Sequence, residues 1–177
     1  MSIASTAAVA NLNAADAINQ LAGIASDTPL AALRAQRPEL VRYAEGSYRA
    51  LFEPEDLGGV SAVDRDLIAL RVAILTDSAT LVDHHQARLR RAGVTDQVLV
   101  AVATNPAAAH LSPRQQAILQ HVDRLTTAPV TATADHITAL TVVGLTPRDI
   151  VVISQLTAFL SFQLRTLVGL RILAEEK

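Results

Sequence analysis

Apolar residues recur at helical spacing along most of the chain, and no segment shows the strict alternation that is typical of a half-buried strand. The pattern is clearest from Asp64 to Gly93, where two periodic segments flank a short polar break at Thr76 and Asp77. Their apolar positions are Leu67, Ile68, Leu70 and Ile74 in the first segment, and Leu81, Val82 and Leu89 in the second. We therefore predict an all-α fold whose core is an antiparallel helix pair at residues 62–92.

Capping residues and prolines mark the ends of the other helices. Three segments place Asp or Gln three residues after Ser or Thr, as capping boxes do: Ser61-Asp64, Ser112-Gln115 and Thr146-Asp149. Pro38, Pro113 and Pro147 suit the first position of a helix. Beyond the central pair, the predicted helices are 13–24, capped by Asn13, a brief one from Pro29, and then 38–52, 96–103, 112–126, 133–143 and 147–174.

Length and composition favour one domain with a real core. The chain has 177 residues, half of them hydrophobic, and small aliphatic side chains outnumber aromatic ones, which suits close helix packing. We predict an N-terminal extension with short helices over residues 1–37 and a helical domain over residues 38–177.

Charge and cysteine content exclude several classes of function. The net charge of −2 gives no strong attraction for nucleic acid or an anionic membrane, so neither is expected as a partner. The chain has no cysteine and hence no disulfide, thiol catalysis or cysteine-based metal site. The N-terminus lacks the basic region of a signal peptide, and we expect no apolar run long enough to cross a bilayer. A soluble cytoplasmic protein is the expectation.

A candidate reactive cluster lies within the central helix pair. Ser78, Leu81 and His85 are spaced at i, i+3 and i+7, so they share one face of the second helix. Asp66 comes level with that face if the two helices are antiparallel. An acid, a hydroxyl and an imidazole would then converge between apolar helices, with Ser78 and Leu81 lining a small pocket.

The segment from Asp64 to Gly93 resembles the core of the alkyl hydroperoxidase D (AhpD) and carboxymuconolactone decarboxylase superfamily. The pattern of that superfamily is a Glu and, twelve residues later, C-x-x-C-x-x-x-H; here the Glu falls on Asp66, the cysteines on Ser78 and Leu81, and the histidine on His85. The flanking R-D-L-I-A-L-R-V-A and L-V-D-H-H, and later L-S-P-R-Q-Q-A-I-L and G-L-T-P-R-D-I, extend the resemblance over roughly residues 40–173. It implies an AhpD-like helical bundle that forms a homo-oligomer, a trimer or a hexamer. Neither Ser78 nor Leu81 can perform the family's thiol chemistry.

Each candidate residue has a functional and a structural interpretation. His85 is either a general base or proton shuttle, or a core histidine that hydrogen-bonds to Asp66. Asp66 either orients His85 or is an exposed first-turn acid that interacts with the helix dipole. Ser78 either binds a polar substrate atom or attacks as a nucleophile, or it caps the second helix, which we favour. His84 points about 100° away from His85 and is expected to face solvent or a neighbouring subunit.

The remaining basic residues are weaker candidates. Arg88, Arg90 and Arg91 form a cluster that we interpret as a solvated helix end. Arg165 follows Ser154, Ala158 and Ser161 on a stripe of a very apolar helix, which we expect to be buried, in part against another subunit. Arg165 then either binds an anionic substrate or, preferably, pairs with a carboxylate, for which Asp66 is a candidate. The other histidines are His110, His121 and His136, and their scatter indicates no metal site.

Two functions fit this pattern best. The first is a cofactor-free, non-redox enzyme of the decarboxylase kind on a small carboxylated substrate, with Asp66 and His85 as catalytic residues and Ser78, Leu81 and Arg165 as substrate-binding residues. The second is a catalytically inactive AhpD-like paralogue that acts as a ligand-binding or structural subunit of an oligomer. A bound acid between the Asp66 and His85 helices favours the first, and a dry apolar filling favours the second. A thiol peroxidase and a DNA-binding helix-turn-helix are remote.

Overall fold

The fold is all-α, as predicted. The computed structural model describes residues 16–175, and every regular element within that range is helical. In chain order the elements are α1 (Ala17–Ala22), α2 (Pro29–Ala35), α3 (Pro38–Phe52), α4 (Ala62–Leu75), α5 (Ala79–Arg91), α6 (Asp96–Thr104), α7 (Pro113–Thr127), a 3-10 turn (Pro129–Thr131), α8 (Ala134–Val142) and α9 (Pro147–Glu175).

Most of the predicted helix starts are confirmed. Ser61 and Asp64 cap α4 reciprocally, and Ser112 and Gln115 do the same for α7. Thr146 and Asp149 exchange equivalent bonds at the start of α9. Asn13, the predicted cap of the first short helix, lies outside the described residues; α1 begins four residues later, and Asp16 is its N-cap.

The chain forms two compact units, Leu51–Ser161 on the one hand and Met1–Ala50 with Phe162–Lys177 on the other. Helices α3 and α9 contribute residues to both units. The predicted N-terminal extension over residues 1–37 and helical domain over residues 38–177 stay a prediction.

In the unit Leu51–Ser161, helix α4 is the central element. It packs against α5, α6 and α7, and its residues from Arg65 to Ala73 are all buried. The core formed around it consists of Leu67, Leu70, Leu89, Leu99, Ala101, Val102, Leu111 and Leu119. Helix α7 also packs against α8 and the 3-10 turn. A helix that is buried on all sides is a rigid support for any side chain it carries.

Two buried arginines of α4 hold the surrounding segments through backbone carbonyls. Arg65 donates to the carbonyls of Val60 and Leu57, both at 3.0 Å, and to that of Leu51. Arg71 binds both carboxylate oxygens of Asp123, at 2.6 and 2.8 Å, and the carbonyls of residues 102 and 103. Both charges are therefore matched by several acceptors, which is the condition under which a buried guanidinium is tolerated.

The other unit is tied together near its first helix. Asp16 accepts from the first amides of α1 and also pairs with Arg34 of α2 at 2.6 Å. Glu45 of α3 accepts from the amide of Ala17 at 3.1 Å and from Arg49 at 2.8 Å. These bonds connect α1 to both α2 and α3.

Helix α9 differs from the sequence-based expectation in its length and apolar composition. With 29 residues it is long and apolar enough to cross a membrane by length and composition alone, so the expectation of no such run was wrong. The core helix of a soluble protein meets the same criterion, and 44% of its most apolar window is buried within the protein. In the single chain the helix exposes several large apolar side chains, Val151, Phe162, Val168, Ile172 and Leu173, and its expected burial in part against another subunit stays a prediction.

Candidate functional site

The connection between α4 and α5 forces these helices to pack side by side in opposite directions. Only residues 76–78 separate them, and the amide of Ser78 returns to the carbonyl of Ala73 at 2.9 Å. Asp77 adopts a φ of 54°, a left-handed conformation that Asp tolerates better than most residues. The chain therefore reverses within one tight turn, and residues equally distant from it come level.

Asp66 and His85 meet across this interface, as the helical phase predicts. Nδ1 of His85 lies 2.9 Å from Oδ1 of Asp66, and the two residues are 1% and 6% exposed. The interpretation of Asp66 as an exposed first-turn acid was therefore wrong. A carboxylate can only accept, so Nδ1 carries the proton and the lone pair of the neutral ring is on Nε2. Nε2 is buried and has no hydrogen-bond partner among the described residues.

Arg88 is a third member of this cluster that the sequence analysis missed. Its Nε lies 2.8 Å from Oδ1 and 3.1 Å from Oδ2 of Asp66. The interpretation of Arg88 as part of a solvated helix end was wrong, although Arg90 pairs with the exposed Asp96 in that manner. The signal was available in the spacing, because Arg88 follows His85 by three residues and so lies on the same helix face.

Phe52, the last residue of α3, covers the cluster. Its ring stacks on the imidazole of His85 with centroids 5.6 Å apart and an interplanar angle of 20°. The guanidinium carbon of Arg88 lies 5.9 Å from the centroid of the same ring. Phe52 is itself buried, so an apolar surface closes the site over His85.

Ser78 and Leu81 flank the cluster on α5. Ser78 occupies the N-cap position, yet its side chain makes no capping hydrogen bond, so the favoured interpretation as a cap by its hydroxyl was wrong. Leu81 lies one turn before His85 and is completely buried. The helix face that leads to His85 is thus apolar and densely packed at that level.

Comparisons with known proteins identify the segment that carries the site and support the fold. Residues 38–124 match the family model of the carboxymuconolactone decarboxylase family, a range that includes Asp66, Ser78, Leu81, His85 and Arg88. The chain also superposes on the AhpD core of an uncharacterized peroxidase-related protein from Ralstonia eutropha JMP134, with a TM-score of 0.69, 26% identity, and coverage of 86% of this chain and 80% of that one.

This chain is an AhpD-like member of the carboxymuconolactone decarboxylase superfamily. It lacks the cysteine pair, because it has no cysteine at all.

Two further solved structures share the AhpD-like fold. A peroxidase-related protein from Silicibacter sp. TM1040 is 24% identical with a TM-score of 0.67, over 79% of this chain and 71% of that one. A protein of unknown function from Agrobacterium tumefaciens is 23% identical with a TM-score of 0.67, over 76% of this chain and 89% of that one. The comparison with curated proteins gave no match.

The electrostatics of the AhpD-like site keep the imidazole neutral. Burial lowers the pKa of His85 and outweighs the Asp66 hydrogen bond, which raises it. For Asp66, burial raises the pKa, but the hydrogen bonds from His85 and Arg88 together prevail and hold it below the ordinary value. The resting site is thus a carboxylate paired with a guanidinium beside a neutral histidine.

His84 is a neighbour of the site rather than a solvent-facing residue. Its ring packs edge-on against that of His85, with centroids 4.9 Å apart and an interplanar angle of 90°. Burial, followed by the charges of His85 and Arg88, lowers the pKa of His84 to about 4. The expectation that His84 faces solvent was wrong, because its side chain is partly buried beside His85. The alternative of a neighbouring subunit stays a prediction.

Arg165 does not fit the expectation of a buried side chain. It is an exposed residue of the unit Met1–Ala50 and Phe162–Lys177, whereas Asp66 is paired by His85 and Arg88 of its own unit. The arginine that the structure places beside the acid–histidine pair is Arg88. Within residues 16–175, no group of three or more His, Asp or Glu side chains is arranged to hold a metal ion.

Proposed function

We propose that this AhpD-like protein is a non-redox acid–base catalyst that acts on a small carboxylated substrate. The observation that carries the proposal is the buried Asp66–His85 pair, in which Asp66 fixes the tautomer and leaves Nε2 unpaired among the described residues. A histidine held in this manner has one defined atom for proton exchange, which is the requirement for general acid–base catalysis.

The family name specifies a reaction class that needs one proton per turnover. When a carboxylate leaves as carbon dioxide, the electron pair of the broken carbon–carbon bond remains on the substrate, and the carbon that receives it takes up a proton. In our proposal the neutral His85 first takes up a proton from solvent at Nε2 and then delivers it to this carbon. The carboxylate of Asp66 stabilises the imidazolium between these two steps. Because burial lowers the pKa of His85, its protonated form is a strong donor.

The dense packing of the site supports a second candidate, a catalytically inactive ligand-binding or structural subunit. His85 is covered by Phe52, and Leu81 fills the face one turn earlier. Apolar packing of this kind is expected of a site that has lost its reaction. Under the first proposal, Phe52 must move aside before a substrate reaches Nε2.

Carbon dioxide release from a carboxymuconolactone and from other small carboxylated lactones distinguishes the two candidates. We expect release by the unmodified protein, and a loss of about 100-fold or more in His85→Gln, which removes the relay but keeps a polar side chain of similar size. His110→Gln is the matched control, because His110 is an exposed histidine outside the site. A folded protein that releases no carbon dioxide from any of these compounds supports the second candidate.

We further propose that the protein reduces no peroxide with thiols. The support is the absence of cysteine, since both the attacking thiolate and the resolving thiol are missing. With metals removed, consumption of hydrogen peroxide in the presence of a dithiol reductant should equal that of a protein-free control. Faster consumption would contradict this proposal.

A homo-oligomer, a trimer or a hexamer, is proposed from the family resemblance. The exposed apolar side chains of α9 and of α3, where Leu40 and Tyr43 are both largely exposed, support association. Light scattering at low micromolar concentration should give a mass several times the 18.8 kDa of one chain. A monodisperse monomer would reject the oligomer and leave the proposal for His85 untouched.

A further inference from the structure

We propose that Arg88 is the carboxylate-binding residue of this site and that a substrate carboxylate takes the place of Asp66 on its guanidinium, which in turn switches His85 to its proton-carrying form. The inference rests on the proposed function, because it names the residue that recognises the substrate. The observations that carry it are the exposure of Arg88, the sharing of one oxygen of Asp66, and the contact with Phe52.

Arg88 is the most accessible member of the charged cluster. Its side chain is 28% exposed, compared with 9% for Asp66 and 2% for His85. An anion that approaches from solvent therefore meets the guanidinium first. The planar set of N–H donors on the guanidinium matches a carboxylate in shape, so one carboxylate can replace another. A neutral ligand binds a guanidinium more weakly, because it lacks the negative charge.

The Asp66 carboxylate is shared unevenly between its two partners. Oδ1 accepts from both Nδ1 of His85, at 2.9 Å, and Nε of Arg88, at 2.8 Å. Among the described residues, Oδ2 accepts only from Nε of Arg88, at the longer distance of 3.1 Å. Departure of the guanidinium leaves the His85 bond in place and gives the imidazole the whole negative charge. The hydrogen bond between Asp66 and His85 can therefore persist while the protonation of His85 changes.

The charges around His85 then favour protonation. The groups that act on it are Asp66 from α4, which raises its pKa, and Arg88 from α5, which lowers it together with burial. His84 adjoins the ring, and its own low pKa keeps it neutral at physiological pH. When Arg88 turns to an incoming carboxylate, His85 loses the effect of a neighbouring cation and gains that of a second anion. Both changes raise the pKa of His85 and supply the proton that loss of carbon dioxide requires.

The same movement of Arg88 also changes its contact with Phe52, the residue that covers His85. The Phe52 ring contacts the imidazole of His85 and the guanidinium of Arg88 at once. A guanidinium that turns toward a ligand removes one of these two contacts, so anion binding and uncovering of His85 are coupled through one side chain. Selection for anionic substrates follows, since other molecules leave Arg88 on Asp66 and His85 covered.

The test is an NMR titration of the His85 ring with pH, with succinate as the carboxylate probe and neutral succinamide as its control. In the unmodified protein, succinate should shift the His85 pKa upward in a saturable manner, and succinamide should not. In Arg88→Gln the pKa should already be higher without succinate, and succinate affinity should fall by about tenfold or more, the loss expected for charge-assisted hydrogen bonds.

Two further variants keep the test decisive. Arg88→Lys retains the positive charge without the planar fork, so it should keep a low His85 pKa but bind succinate more weakly. Arg90→Gln is the matched control on the same helix, because Arg90 pairs with Asp96 at the surface, and it should behave like the unmodified protein. If Arg88→Gln does not fold, the Lys variant carries the comparison alone.

A His85 titration that is indifferent to succinate, or a lower His85 pKa in Arg88→Gln, would overturn the inference. Its failure is distinguishable from that of the proposed function, because the readout needs no turnover. If the His85 pKa responds to succinate but the protein releases no carbon dioxide, the anion exchange at Arg88 is supported and the proposed catalysis is rejected. If the protein releases carbon dioxide but the His85 pKa does not respond to succinate, the catalysis is supported and the anion exchange is rejected.

Discussion

Asp66 and His85 are joined across the α4–α5 interface by a 2.9 Å hydrogen bond between Oδ1 and Nδ1, and Arg88 binds the same oxygen from the other side. One buried carboxylate therefore serves two donors from a single helix. In such a network the loss of the shared member removes a hydrogen bond from both partners, so its energetic effect exceeds that of either single bond.

Asp66→Asn should lower the free energy of unfolding by about 3 kcal/mol, because it removes the buried carboxylate charge that both His85 and Arg88 contact. Urea denaturation measures the change. The matched control is Asp96→Asn, whose pair with Arg90 is solvent-exposed and should be worth less than about 1 kcal/mol. The double variant Asp66→Asn with Arg88→Gln should recover part of the loss, and an additive double variant would contradict the network.

Gly59→Ala should destabilise the protein by about 2 kcal/mol, an ordinary cost for overpacking against a rigid group. A Cβ at this position would lie 2.5 Å from a carboxylate oxygen of Asp149. That carboxylate accepts from the Gly59 amide at 2.8 Å and also caps α9 through Thr146, so it cannot retreat without breaking bonds.

Gly46→Ala is the opposite case and serves as its control. Gly46 lies within α3, and no atom beyond the local helix lies within 4 Å of an added Cβ. Because alanine is the better helix former, the substitution should stabilise the protein by about 0.5–1 kcal/mol. Equal thermal shifts for the two alanine variants would show that the Asp149 contact does not limit position 59.

The helix boundaries and the Asp66–His85 encounter could be predicted because they depend on local rules. Capping boxes are short-range patterns, and the meeting of Asp66 with His85 follows from helical phase and a short connection. Arg88 has the same helical phase as His85, but its position near the end of a helix favoured the prediction of a solvent-exposed side chain. Burial is what distinguishes the two roles, and burial depends on elements distant in sequence.

The sign of the His85 pKa shift could not be predicted for the same reason. A neighbouring carboxylate raises the pKa and burial lowers it, and the outcome depends on how Phe52 covers the ring. Phe52 comes from α3, thirty-three positions earlier in the chain. Likewise, the sequence gives no sign that Arg65 and Arg71 are buried, because their acceptors are mostly backbone carbonyls supplied by other segments.

Stability should fall as the pH drops below about 6.5, the ordinary value for histidine. Burial lowers the pKa of His121, whose two ring nitrogens have no hydrogen-bond partner among residues 16–175; Arg124 and His136 lower it further. Above pH 6.5 both the folded and the unfolded states hold this histidine neutral, so its contribution is complete there. Below that pH the unfolded state binds a proton first, and stability is lost until the folded pKa is reached. His84 acts in the same direction between 6.5 and about 4.

His121→Leu tests this explanation. Because it removes two buried and unsatisfied nitrogens, we expect the free energy of unfolding at pH 7.5 to rise by about 1 kcal/mol. We also expect a shallower loss of stability between pH 6.5 and pH 4.5 in urea denaturation series. His110→Leu, at an exposed position, should leave the pH dependence unchanged. A slope in His121→Leu equal to that of the unmodified protein would contradict the assignment.

Ser78→Cys combined with Leu81→Cys should create a pair that hydrogen peroxide oxidises to a disulfide. The two positions are three residues apart at the start of α5, where helix geometry separates Cα atoms by about 5 Å, within the range of disulfides. The start of a helix also lowers the pKa of a thiol and so favours the reactive thiolate. Loss of the fully buried Leu81 side chain should lower stability by about 2 kcal/mol, which the protein must withstand for the test to be valid.

The matched control is Ala87→Cys combined with Arg90→Cys, an exposed pair with the same spacing on the same helix. Mass spectrometry after peroxide treatment should show the loss of two hydrogens in the Ser78/Leu81 variant, with faster oxidation than in the control, because the Asp66–His85 pair lies on the same face and can take up the thiol proton. With a dithiol reductant, the first variant should consume peroxide repeatedly and faster than the control variant. Equal oxidation rates in the two variants would mean that His85 does not accept a proton from a thiol at position 78 or 81. That result would contradict the proposed proton transfer through Nε2.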